Sequence, residues 1–161
     1  MKCRVNILKI VIFFIFFLDA KYPAYSQSCQ GFYKNPRCYV KEAKGFKPYG
    51  QSRSAAIEVN KLYTFQVVLY GQKDFIFSLC TELGFKPLHF KLTDINTKEV
   101  IYDNAQDDYN QYIGFAMEKT TTVNVDVEII MESGDNQDPK TARVCLGVQI
   151  FWRHIPKLGF E

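Results

Sequence analysis

The stretch Thr120–Met131, TTTVNVDVEIIM, sets the terms for the whole chain. Val123, Val125, Val127 and Ile129 fall on one side of a period-two pattern. Thr122, Asn124, Asp126 and Glu128 fall on the other. A helix places neighbours of its apolar face three and four residues apart, so this spacing belongs to a strand. One dry face and one wet face further mark an antiparallel sheet. The same rhythm recurs in Lys61–Cys80, KLYTFQVVLYGQKDFIFSLC, with Tyr63, Phe65, Val67 and Leu69 before Gly71-Gln72-Lys73 and Phe75, Phe77 and Leu79 after it. Two such runs around a glycine-containing loop predict a β-hairpin.

The remaining strands follow from the same reading. Ser54–Val59 is a short one. Leu88–Thr93 and Lys98–Tyr102 form a second hairpin about the turn Asp94–Thr97. Tyr112–Glu118 sets Ile113, Phe115 and Met117 to one side, and Ala142–Arg153 sets Val144, Leu146, Val148 and Ile150 inward. About eight strands with turn signals at roughly ten-residue spacing, and no amphipathic helix, predict an all-β fold. The expected form is an antiparallel β-sandwich, jelly-roll-like, with an up-and-down barrel as the competing architecture. In either, the faces of Lys61–Cys80 should meet those of Val123–Ile129 and Val144–Ile150 in one core.

The N-terminus reads as an export signal. Lys2, Arg4 and Lys9 precede the apolar run Ile10–Leu18, and Ala24-Tyr25-Ser26 supplies small residues for cleavage after Ser26, with Ala20 as a second cut site. The run is about half of the roughly 20 residues that span a bilayer, so a cleaved signal is expected rather than an anchor. Removal of residues 1–26 takes away Lys2, Arg4, Lys9 and Lys21 but one acid, Asp19, and the formal charge of +3 falls to zero. No basic field is then left to attract nucleic acid or an anionic membrane. The expected organisation is signal peptide 1–26, an irregular cysteine-containing segment 27–53, a sandwich domain 54–153 and a tail 154–161. The protein is placed in the periplasm, at the outer surface or outside the cell, with no transmembrane segment after processing.

Cys29, Cys38, Cys80 and Cys145 form an even set outside the signal, so two disulfides are expected. Cys80 is out of phase with Phe75, Phe77 and Leu79, and Cys145 is out of phase with Val144, Leu146 and Val148. Both thiols therefore point away from the main core. They join each other across neighbouring strands, with Cys29–Cys38 as a local loop, or they staple the N-terminal segment onto the outer face of the sheet. The aromatics of that segment, Phe32, Tyr33, Tyr39, Phe46 and Tyr49, supply the apolar area to pack it there.

No catalytic constellation is visible. His89 and His154 stand outside metal-ligand spacings, and no serine lies in G-x-S-x-G. The chain is expected not to be an enzyme. The polar loop Asp103–Gln111 holds the candidate ligand-binding residues Asp103, Asn104, Asp107, Asp108 and Tyr109, with Tyr112 at its far edge. Clustered carboxylates and amides can supply calcium ligands, and Glu132, Asp135, Asn136 and Asp138 are a second such cluster. Neither matches the D-x-[DN]-x-[DN]-G pattern, so no cofactor is expected beyond that calcium candidate. Tyr102, Tyr109, Tyr112 and Trp152 raise a carbohydrate-binding reading, although Trp152 is in phase with Ile150 and belongs to the core on that count.

In order of features, Tyr63–Val67 (YTFQV), DFIFSL, LHFKLTD and VIYDN, the region Ser54–Arg153 resembles bacterial pre-peptidase C-terminal-type sandwiches. It also resembles small exported bacterial proteins that end in a cysteine-bearing strand like VCLGVQIFWR. The resemblance implies a jelly-roll-like accessory domain and carries over no catalytic residue. The expected function is a non-enzymatic protein-interaction or accessory module in the periplasm or at the cell surface, with a protein or glycan as partner. The alternative is a carbohydrate-binding module, calcium-assisted or not.

Overall fold

The computed structural model describes residues 29–82, 87–131 and 143–155. The expected signal peptide, the second acidic cluster at 132–138 and all but the first two residues of the expected tail lie outside the described residues. Among the described residues nine strands run in order: β1 (Lys47–Pro48), β2 (Arg53–Glu58), β3 (Tyr63–Leu69), β4 (Lys73–Thr81), β5 (Leu88–Asp94), β6 (Val100–Asp103), β7 (Tyr112–Met117), β8 (Thr121–Ile129) and β9 (Arg143–His154). They form two antiparallel sheets. One has the order β1-β9-β4-β7 with β2 also on β9, and the other has the order β3-β8-β5-β6. The fold is the expected all-β antiparallel sandwich. Among the described residues there is no α-helix, only short 3-10 turns.

The inward faces meet as the alternation requires. Phe65, Val67 and Leu69 of β3, Phe75, Phe77 and Leu79 of β4, Val123–Ile129 of β8 and Val144–Ile150 of β9 share one buried cluster with Leu88, Phe90 and Leu92 of β5. Sheet-on-sheet burial of this kind stabilises by about 25 cal/mol per Å² of apolar surface removed from water.

One expectation fails. Lys61–Cys80 is not a hairpin. β3 pairs with β8, and β4 pairs with β7 and β9, in the opposite sheet. The connection at Tyr70-Gly71-Gln72 is an arch that crosses from one layer to the other. Gly71 shows why. A Cβ there would sit 2.7 Å from the Glu118 carbonyl oxygen and 3.0 Å from Lys119 Cα. The β3–β4 arch thus lies against the backbone of the β7–β8 connection, which crosses between the sheets in the same way. Gly71 is a close-approach glycine, and the positive φ of the turn falls on Gln72, at 57°. The second predicted hairpin is real: β5 and β6 pair about the Asp94 turn, with a register shift between Leu92 and Thr93.

The N-terminal segment decides the outer side of the β9–β4 sheet. β4 is buried at every position from Phe75 to Thr81, on both faces. Its outer face, with that of β9, carries Ile76, Ser78, Cys80, Cys145, Gly147 and Phe151. The 3-10 turns Phe32–Lys34, Pro36–Cys38 and Lys41–Ala43 lie over it. Ala43, Ile76 and Phe151 form a second buried cluster with Val40 and Phe46 against it. The disulfides are Cys29–Cys145 and Cys38–Cys80, so both staple this segment to the sheet. Register rules out the direct Cys80–Cys145 link. Cys80 stands opposite Gly147, which leaves Cys145 diagonal to it at a spacing of roughly 7–8 Å, too far to bridge.

Free strand edges are managed by side chains. Gln51 bonds both groups of Val68 on the open side of β3: its Oε1 accepts from Val68 N at 3.0 Å, and its Nε2 donates to Val68 O at 3.2 Å. Tyr49 Oη donates to the same carbonyl at 2.6 Å, and its ring packs on Phe75, joining the segment to both layers. Asn60 acts likewise where β2 turns into β3, bonding Met131 N at 2.9 Å and Met131 O at 3.1 Å.

Two outcomes follow from these contacts. At Gly147 a Cβ would sit 2.6 Å from Cys38 Sγ and 2.8 Å from Tyr33 Cα, while at Gly50 it would meet nothing within 4 Å. Gly147→Ala should destabilise by about 1–3 kcal/mol in urea unfolding, and Gly50→Ala should change little. Asp94 accepts from Thr121 Oγ1 and from the backbone N–H groups of Thr97 and Asn96, in that order of weight, and these hold its carboxyl below the ordinary value. A depressed carboxyl contributes stability above its unfolded pKa and loses it as pH falls through the folded one. The melting-temperature difference between wild type and Asp94→Asn should be full at neutral pH and shrink below about pH 4.

Candidate functional site

The loop between β6 and β7 carries the candidate residues, and its shape comes from one buried amide. Asn104 is 0 % exposed. Its Oδ1 accepts from Phe90 N at 2.8 Å, and its Nδ2 donates to Leu88 O at 2.9 Å and to Asn110 O at 3.0 Å. Its own carbonyl accepts from Asp107 N and Tyr109 N. The side chain thus continues the β5 ladder where the chain has left it, and pins both ends of the loop to the sheet. An amide suits that task because it offers an acceptor and two donors in one plane.

The other five residues go to different places. Asp103 closes β6 and accepts from Ala105 N at 3.0 Å, which caps the 3-10 turn Asn104–Gln106. Its Oδ1 also receives His89 Nε2 at 2.9 Å, from the outer face of β5. Burial works to raise Asp103, but the bonds from His89 and Ala105 outweigh it and hold the carboxyl below its usual range. Asp107 Oδ2 accepts from Tyr102 Oη at 2.8 Å and from Asn110 Nδ2 at 3.4 Å. Burial, and then that bond to Asp107, push the Tyr102 phenol well above its ordinary value. Tyr102 therefore lies back against Phe90 and the core, with its hydroxyl committed.

Asp108, Tyr109 and Tyr112 converge. With Pro87, Leu88, Asn110 and Gln111 they line an open groove of about 470 Å³ at one end of the sandwich. Asp108 and Tyr109 both have left-handed backbone, with φ of 47° and 55°. For a bulky side chain that conformation costs about 1–2 kcal/mol. It leaves Tyr109 36 % exposed, edge-on to His89 with 6.2 Å between ring centres.

The loop therefore does not gather its four polar candidates around a point. Among the described residues no group of three His, Cys, Asp or Glu side chains lies close enough to hold a metal ion. Trp152 is half-buried against the core, with Lys73 Nζ 4.3 Å from its ring centre, and it stands opposite Phe75 of β4, whereas the loop meets β4 at Ser78 and Leu79. Sequence reasoning missed the His89–Asp103 pair and the bracing role of Asn104. The phase of His89 showed it facing out but not what stood beside it, and no pattern distinguishes a structural asparagine from an exposed one.

No helix among the described residues is long and apolar enough to cross a membrane. Asn104→Ala would strand the Phe90 N–H in the core. It should cost about 2–4 kcal/mol in denaturant unfolding, whereas Asp107→Ala should cost under about 1 kcal/mol.

Comparison with known proteins adds little to this geometry. No family model and no curated protein matches the chain. That leaves the resemblance to pre-peptidase C-terminal-type sandwiches where the sequence put it. Among solved structures, the chain is similar to PliG of Aeromonas hydrophila, a periplasmic lysozyme inhibitor of g-type lysozyme. The two are 13% identical, with a TM-score of 0.46 over 71% of this chain and 93% of that one. A likeness of that size carries no inference about activity.

Proposed function

We propose that this chain is an exported, non-enzymatic binding module whose contact surface is the tip of the Asp103–Tyr112 loop and whose partner is a protein. The observation that carries this reading is the pair Asp108 and Tyr109. Two adjacent non-glycine residues are held in left-handed backbone, and the result is a tyrosine presented at the rim of an open groove. Sterically costly backbone persists where the surroundings over-determine it, and here the Asn104 brace does so. A rigid aromatic beside a groove is the composition that dominates protein interfaces, since it buries much area for little lost rotamer freedom. The two disulfides fit an oxidising compartment, and export to the periplasm or the cell surface is part of the proposal. An accessory role of the kind the sequence resemblance implies is one form of it.

A second reading, carbohydrate binding, is favoured by the amides of Asn110 and Gln111 beside the Tyr109 ring, an aromatic and polar pairing suited to sugars. Calcium could assist it through Asp108; Asp103 and Asp107 already serve His89 and Tyr102.

The test uses immobilised wild-type and Tyr109→Ala chains against a cell-envelope extract and a glycan array. A saturable protein partner, bound at least about tenfold more weakly by Tyr109→Ala, is expected. A partner indifferent to Tyr109 sinks the surface assignment. Polysaccharide binding that Tyr109→Ala abolishes replaces the first reading with the second.

A further inference from the structure

Strand β7 is an edge without protection. It ends the β9–β4 sheet, and its sequence YIGFAM holds no charge and no proline. The other edges are blunted. β2 begins and ends on charge, at Arg53 and Glu58. β3 is capped by Gln51. β6 is four residues long and lies beside a register shift. An unblunted edge is a template for another strand.

The groups that β7 offers can be named. Leu79 N donates to Gln111 O at 2.8 Å, so Leu79 and Gln111 are a hydrogen-bonded pair in the ladder that continues Ser78 opposite Tyr112. In an antiparallel ladder such pairs alternate with pairs whose groups point away. Ile113, Phe115 and Met117 therefore face β4 with their backbone groups. Tyr112, Gly114 and Ala116 point theirs at the free edge. The Tyr112 N–H makes one long local bond, to Asn110 Oδ1 at 3.4 Å; among the described residues the outward groups of Gly114 and Ala116 meet no backbone or side-chain partner.

We propose that β7 is a homodimerisation edge, occupied by β7 of a second copy of this chain running antiparallel. The strand is self-complementary about Gly114. With the two-fold axis there, Gly114 faces its own copy, and Tyr112 faces Ala116 on both sides. This is the one register in which all three outward residues of each strand find a partner. It also sets Phe115 across from Ile113 on the core side, an aromatic–aliphatic cross-strand pair. Beyond the strand ends, the same register carries Lys119 of one protomer toward Tyr109 and Asp108 of its partner, basic against acidic at both ends. On the outer face, Gly114 and Ala116 are small and exposed and present no bulk to an incoming strand. The contact is isologous and closes at two copies. It does not rest on the proposed binding role, but it places one Tyr109 loop at each end of the joined strands, beside Lys119 of the other protomer.

Pairing of short strands buries less than a standard interface, so the dimer is expected to be concentration-dependent. The test is sedimentation equilibrium of the exported chain with amide hydrogen exchange. The mass should double with concentration, and the Tyr112, Gly114 and Ala116 amides should slow at least about tenfold in step. Gly114→Pro and Ala116→Lys should both remain monomers with native melting. The first removes an N–H that the β4 ladder does not use, and the second sets a charge at the edge. If Gly114→Pro fails to fold, Ala116→Lys decides alone. A wild-type chain that is monomeric up to about 1 mM overturns the proposal. So does a dimer that Ala116→Lys leaves intact, or slowing of those amides only when a different protein is added.

Discussion

The middles of β4 and β9 are dry on both faces, and the rest of the molecule is arranged to keep them so. Their inner face, Phe75 to Leu79 and Val144 to Ile150, meets the second sheet in an ordinary sandwich core. Their outer face carries Ile76, Ser78, Cys80, Cys145, Gly147 and Phe151, which cannot be left to water without exposing a large apolar patch. The cover is a segment of 3-10 turns with few backbone bonds to the sheet and little core of its own. Its position is set by covalent links, with Cys29 and Cys38 tied to β9 and β4 across 116 and 42 residues of chain. Closing loops of that length removes about 4–5 kcal/mol of unfolded-state entropy each in the chain-entropy account. Gly147, with no side chain, lets the Tyr33 turn and Cys38 approach the sheet backbone.

The same arrangement accounts for where function can sit. One broad face of the β9–β4 sheet is closed by the N-terminal segment, and the edges of β2, β3 and β6 are blunted. Beside the polar outer face of the β3-β8-β5-β6 sheet, this leaves the end of the sandwich where β5 starts and β7 starts, and the free edge of β7. The proposed contact surface and the proposed dimer edge both arise there because β6 and β7 lie in different sheets. The chain must cross between layers at Asn104–Gln111, and a crossing that cannot pair with a neighbour is stiffened by side chains instead. Asn104 supplies the backbone's missing partners, Asp103 takes His89, and Asp107 takes Tyr102. Asp108 and Tyr109 are what the loop has to spare.

Much of the fold was legible from residues. The alternation in β3, β4, β8 and β9 named the core side chains, and the phases of Cys80 and Cys145 put both sulfurs on the outer face. The candidate site was legible only as a segment. That Asp103–Tyr112 is polar and aromatic says nothing of which side chains turn inward. Asn104 and Asp108 are both polar loop residues four positions apart, yet one is wholly buried and the other lines the groove.

Alternation marked the longer strands and the dry side of each, because side-chain direction has a period of two and is set locally; β1, two residues long within the segment read as irregular, carries no such signal. Which strands are neighbours came from the packed fold. Lys61–Cys80 reads as a hairpin, but alternation specifies a face and not a partner, and both layers of a sandwich offer the same kind of face. The choice fell to long-range fit. Gly71 against the Glu118–Lys119 backbone makes two arches stack, and Cys38–Cys80 with Cys29–Cys145 fixes the cover on β4 and β9. β7 is left at an edge as a result. Each of these depends on contacts between residues distant in the chain, where no local periodicity carries information.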